Sequence, residues 1–202
     1  MKKSNWSFAT RFLHLGLVST VSIQLFISLV MTSPDHSGGG FGHLAFDVHE
    51  IVGMAAVFIV LFHWLATLVF QLDGGIAHLF PITGDARNQV FGDVRNLFKG
   101  RLPRMGARGG LPGLVHGLGL MAVTAVATTG AVLFFIFPES GKPGFITEGF
   151  AELHEGLAGL VWAYWFAHGG IALLHAALGH DDVRKMFSLR RNGDSANKVI
   201  PC

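Results

Sequence analysis

The chain has 202 residues, half of them hydrophobic and only 14% charged, and it is rich in Gly (27) and Phe (18). A soluble domain carries roughly 25% charged residues, so there is too little charge here to cover a water-facing surface, and disordered chains are poorer still in apolar residues. The net charge of +2 gives no case for a nucleic-acid partner, and the single cysteine, Cys202, excludes a disulfide scaffold, a covalent CxxCH cofactor attachment and any cysteine-ligated cluster or structural zinc.

The chain opens with MKKSNWSFATR and an apolar run. That run is too long for a secretory signal peptide and no A-x-A-like cleavage pattern follows it, so it reads as a retained first membrane helix. Its charge-free stretch, Phe12–Pro34, is the first of four long enough to cross a bilayer, which takes about 20 apolar residues. A short SGGGFG loop (Ser37–Gly42) leads towards the second, Ile51–Leu72. In the loop 73–110, the segment Ala86–Gly100 puts Val90, Phe91, Val94, Leu97 and Phe98 on one helical face and Asp93, Arg95 and Lys99 elsewhere. This pattern predicts a short helix lying on the inner membrane surface, with a docking face for a cytoplasmic partner as the sharper alternative. The third and fourth stretches are Leu111–Phe137 and Gly156–His180, and residues 190–202 form a polar tail.

Backbone groups in hydrocarbon must be satisfied within their own segment, so all four spans are expected to be helical. The predicted fold is an all-α membrane protein, a four-transmembrane-helix bundle forming one integral-membrane domain over residues 1–202. Fourteen of the fifteen Lys and Arg residues lie before the first span, between the second and third, or after the fourth; only Lys142 lies on the other side. The positive-inside rule then puts both termini, the 73–110 loop and the tail in the cytoplasm.

Eleven histidines stand out against this background. His14, His49, His63, His116, His154, His168 and His175 lie in or beside the spans, where an ionisable side chain is costly and marks function by default. His154 and His168 are 14 residues apart, as are His49 and His63. Fourteen residues turn a helix through about 1,400°, roughly 40° short of whole turns, and rise about 21 Å. Each pair therefore shares one helix face at two depths, which suits two metal centres, one near each membrane surface. Zinc sites draw on three or four close ligands, often thiolates or carboxylates, whereas haem takes two axial ligands on opposite sides of one ring and accepts neutral imidazole. Gly16, Gly53, Gly156, Gly159, Gly169 and Gly170 would let a flat ring approach the helices. Helix direction matches His49 with His154 in depth. At the cytoplasmic level His14, His63, His168 and His175 all qualify, and spacing alone slightly favours His63 with His168 without excluding His14.

The segment Leu153–Phe187, LHEGLAGLVWAYWFAHGGIALLHAALGHDDVRKMF, resembles the last helix of the bacterial cytochrome b561 family, with RFLHLGL (Arg11–Leu17) and FDVHEIVGM (Phe46–Met54) resembling its first and second. The resemblance extends to the b-type cytochrome subunits of membrane-bound hydrogenases and formate dehydrogenases and covers about Ser7 to Leu189. It implies two haem b groups, held by His49 with His154 and by His14 with His168, in a multi-pass protein of the bacterial inner membrane that moves electrons to or from quinone. His63 falls where relatives often carry an arginine, which leaves it as a replacement for His14, a haem-propionate contact or an interhelical hydrogen-bonder. His175 is read as a propionate or quinone neighbour, His116 as an interhelical hydrogen-bonder, and His36, His43 and His78 as solvated. The resemblance admits two uses, a membrane anchor for a separate redox subunit and a stand-alone oxidoreductase. A histidine-lined metal or proton transporter is the alternative from another class, although the spans hold no Asp or Glu for such a relay.

Overall fold

The computed structural model describes residues 6–32, 40–101, 109–138, 142–179 and 182–187, all helices and their connections, with no strand among the described residues. Ser7 starts the first helix, α1 (Phe8–Ile27), by accepting a hydrogen bond from Thr10 N–H on its side-chain oxygen at 3.1 Å. The Ser7 N–H is itself taken by the carboxylate of Asp73, at 3.0 and 3.2 Å. Asp73 reaches it from a 3₁₀ turn (Leu72–Gly74) that follows α2 (Phe41–Leu68), with Asp73 at φ 53° and Gln71 at φ 46°. These left-handed conformations double the chain back so that the exit of α2 caps the start of α1.

Two short helices come next, α3 (Gly75–Leu79) and α4 (Gly84–Phe98), the latter capped by Thr83. They are followed by α5 (Leu111–Ile136), α6 (Phe145–Ala177) and α7 (Asp182–Met186). Among the described residues four helices, α1, α2, α5 and α6, are long and apolar enough to cross a membrane. Two of them begin well before the charge-free windows: α2 at Phe41 rather than Ile51, and α6 at Phe145 rather than Gly156. A charge-free window marks the hydrocarbon, about 30 Å thick. A helix of 33 residues such as α6 is about 50 Å long, so it continues through the headgroup layer. His49 and His154 sit in these extensions and are held by helical backbone.

The helices pack in series, α1 on α2, α2 on α5 and α5 on α6, while α6 meets α1 and α2 only sparsely. Mid-bundle, Leu25, Val60, Val123 and Val161, one from each spanning helix, form a buried cluster with Trp64, Trp162 and Trp165 packed against it. Two indoles tie the layer across helices: Trp64 Nε1 donates to Thr124 Oγ1 at 2.9 Å and Trp165 Nε1 to Ser22 Oγ at 3.0 Å. This waist separates the two ends of the bundle. The outward faces carry exposed Phe12, Ile51, Phe58, Phe135 and Leu173, the surface that lipid covers.

The sequence pattern sets Asp93 away from the inner face of α4, but Asp93 is buried there. Its carboxylate accepts the Leu111 N–H at 3.1 Å, satisfying a donor in the first turn of α5 that has no intrahelical partner. Phe91 and Phe98 are consequently turned outward, 70% and 89% exposed. The tail 190–202, His36 and His180 lie outside the described residues.

Candidate functional site

At the end where α2 and α6 begin, the His49 and His154 ring centroids lie 6.2 Å apart with their planes at 85°. Two imidazoles bound on opposite sides of one metal, each nitrogen about 2 Å from it, have centroids about 6 Å apart. His154 Nδ1 lies 3.0 Å from Thr129 Oγ1 of α5. The neighbouring Gly130 makes this approach possible, since a Cβ there would sit 2.9 Å from His154 Cε1. Gln24 of α1 crosses to donate to the His49 carbonyl at 2.8 Å, passing over Gly53, where a Cβ would meet its Nε2 at 2.6 Å. Gly53 thus serves helix contact, as does Gly16 against Ile59, whereas Gly156, Gly159, Gly169 and Gly170 face open space.

At the opposite end, His14 of α1 and His168 of α6 have centroids 6.3 Å apart at 60°. His116 of α5 joins them, 5.2 Å from His168 and 6.4 Å from His14. A cavity of 280 Å³ opens between α1, α5 and α6, lined by these three histidines together with Val21, Tyr164 and Trp165. Tyr164 stacks on His168 at 5.2 Å with planes 9° apart, and Phe187 sits edge-on to His14 at 5.9 Å. Trp6 closes the cluster towards the loop, 5.6 Å from His116 and 5.3 Å from His78.

The structure brings His14, and not His63, into ring contact with His168; His63 makes no ring contact among the described residues, and its carbonyl accepts the Thr67 hydroxyl. His116 differs from the interhelical hydrogen-bonder expected of it. Its Nδ1 is buried with no hydrogen-bond partner, and the ring is part of the histidine cluster. Among the described residues His175 has the most completely buried large side chain, 2% exposed, on the His168 face of α6. His78 and His43 are not simply solvated: each has a buried Nε2. Burial of His78 against Trp6 holds its imidazole below the ordinary histidine range, partly offset by the Asp73 carboxylate. Thr129, Trp6, Tyr164 and Gly119 escaped the sequence reading. One signal was available, because Gly130 follows His116 on α5 by the same 14 residues that separate the histidines of α2 and α6.

Opposed imidazole pairs fit the two axial positions of a haem, whose iron accepts neutral histidine on both faces. The cavity beside His14 and His168 is lined almost wholly by apolar and aromatic groups. Among the described residues no group of three His, Cys, Asp or Glu is arranged to hold a metal ion, so a zinc-type site has less support.

No curated protein and no solved structure matches the sequence. The sequence model described as prokaryotic cytochrome b561 matches residues 5–189, a range that takes in all four spanning helices and both histidine pairs. The chain belongs to the prokaryotic cytochrome b561 family: it is a multi-pass membrane b-type cytochrome, a haem-binding protein of electron transfer.

Proposed function

We propose that the chain is a di-haem cytochrome that carries electrons across the membrane, one haem b held by His49 and His154 and the other by His14 and His168. The observation that carries this reading is the pair of opposed imidazoles at each end, 6.2 and 6.3 Å between centroids, with α6 supplying one member of both. Fourteen residues of α6 separate its two histidines, a rise of about 21 Å. When bound, haem supplies a one-electron couple at iron, and the protein sets its potential through ligands, burial and nearby hydrogen bonds.

The chain's own residues do the rest. Their helices hold the imidazoles in fixed registers, and Tyr164 and Phe187 keep His168 and His14 in place by ring contact. The waist of Val60, Val123, Val161, Trp64 and Trp165 keeps water out between the two ends. The proposed orientation has the His14–His168 end on the cytoplasmic side of the bacterial inner membrane, a placement the Lys/Arg distribution supports. Asp47, Glu50, Glu148, Glu152 and Glu155 gather at the other end, in keeping with that orientation. Quinone is the proposed exchange partner, in line with the quinone link of the family. The same reading serves an anchor for a separate redox subunit and a stand-alone quinone-linked cytochrome; co-purification of a redox protein supports the first, and quinone reduction by the isolated chain the second. The α4 helix lies on the cytoplasmic leaflet.

Single alanine substitutions test the ligand set. Replacing His14, His49, His154 or His168 should each lower haem per chain by half in the purified protein, while His116→Ala and His63→Ala retain both haems. Full haem content in His154→Ala or His168→Ala would overturn the assignment, and loss in His116→Ala with retention in His14→Ala would move the ligand to α5.

A further inference from the structure

We propose that Thr129 is a positioning residue for His154: its hydroxyl fixes the imidazole with the proton on Nδ1, leaves the Nε2 lone pair for the iron, and thereby lowers the potential of that haem alone. This rests on reading His154 as a haem ligand.

The hydrogen-bond pattern leaves little freedom. Thr129 is 7% exposed, and its Oγ1 lies 2.9 Å from the Val126 carbonyl and 3.2 Å from that of Ala125. A threonine within a helix donates its hydroxyl proton back to such carbonyls, three and four residues earlier. A hydroxyl has one proton and two acceptor lone pairs. With the proton turned to the backbone, Oγ1 can only accept from His154 Nδ1, 3.0 Å away. A neutral imidazole carries a single N–H, so a proton on Nδ1 leaves Nε2 unprotonated, the form a metal requires. Gly130 completes the seat, because a Cβ at that position would stand 2.9 Å from His154 Cε1 and push the ring off the hydroxyl.

This arrangement has no counterpart at two of the other ligand candidates: Nδ1 of His49 and Nδ1 of His14 are both buried without a hydrogen-bond partner. Of the pair at its end, His154 is therefore the oriented imidazole and the better electron donor, since a hydrogen bond from the distal N–H raises ligand basicity. A more basic axial ligand favours ferric over ferrous iron.

The test compares full-length wild type with Thr129→Val, which keeps volume and branching but removes the hydroxyl, and Thr129→Ser, which keeps the hydroxyl. Each haem is titrated spectroelectrochemically, and haem loss to a scavenger protein is timed. In Thr129→Val one midpoint should move to more positive potential, and that haem should be held about 10-fold or more less tightly. The second haem should be unchanged and acts as the internal control for folding. Thr129→Ser should match wild type. Two unmoved midpoints in Thr129→Val overturn the proposal, and so does a Thr129→Ser variant that behaves like the valine, which would assign the effect to packing. Thr129→Ala gives the same reading should the valine variant not fold. His154→Ala separates the two failures: if it keeps both haems, the ligand reading falls; if it loses one while Thr129→Val is indistinguishable from wild type, only the role of Thr129 falls.

Discussion

At Gly119 the backbone of α5 lies against the ring of Tyr164, and a Cβ there would run into the phenol. Tyr164 in turn stacks on His168 at 5.2 Å. A side chain at position 119 therefore displaces an imidazole on another helix. Gly119→Val should strip the haem of the His14–His168 end, halving haem per chain, and leave the His49–His154 haem in place; a full complement of haem in that variant would mean that Tyr164 moves aside without consequence. Residues of this kind are poorly legible in sequence. The paired histidines of α2 and α6 could be read because helical periodicity turns a separation of 14 into a common face and a known rise. His116 stands without a second histidine on α5, so nothing in its spacing announced that it would join His14 and His168. Thr129 acts through a contact between helices, which no spacing within one helix records.

At the scale of elements, the existence and order of the four spans were legible, as was the start of α5 at Leu111, but the beginnings of α2 and α6 were not. Charge marks where the hydrocarbon stops, while helical hydrogen bonding continues into the headgroup layer, which is why α2 begins at Phe41 and α6 at Phe145. In α4 the apolar pattern located the helix correctly, but a buried carboxylate decided which face turns inward. Asp93 pins α4 to the first turn of α5 at Leu111, the level at which a membrane span begins. Phe91 and Phe98 are exposed with Arg87, Arg95 and Lys99 exposed on or beside the same helix, a combination suited to an anionic leaflet, so the account predicts that they lie at interfacial depth. A nitroxide on Phe98→Cys, in a Cys202→Ser background reconstituted in anionic vesicles, should collide with lipid-dissolved oxygen in preference to an aqueous nickel complex. A label at the exposed Asn88 serves as the comparison. Water-like accessibility at position 98 would contradict the interfacial placement and favour a protein partner for this face.

Over the whole molecule, function follows from the way one long helix is shared. The α6 helix rests on α5, stands away from α1 and α2, and places one imidazole opposite each of them at opposite ends of the bundle. The apolar waist between those ends is drawn from all four spanning helices. Composition and charge sufficed to indicate a membrane bundle, and paired spacing picked out histidines of α2 and α6, of which the fold brings His49 beside His154 and sets His168 beside His14. The partner of His168 did not follow from spacing, which slightly favoured His63, because sequence separation on α2 carries no information about the tilt of α1 against α6. The central claim is the number of haems, and the most direct measurement is a reduced-minus-oxidised visible spectrum of the detergent-purified chain with haem and protein quantified in the same sample. Two haem b per chain, titrating with two midpoints, is the expected result; a single haem per chain under full haem supply would contradict it.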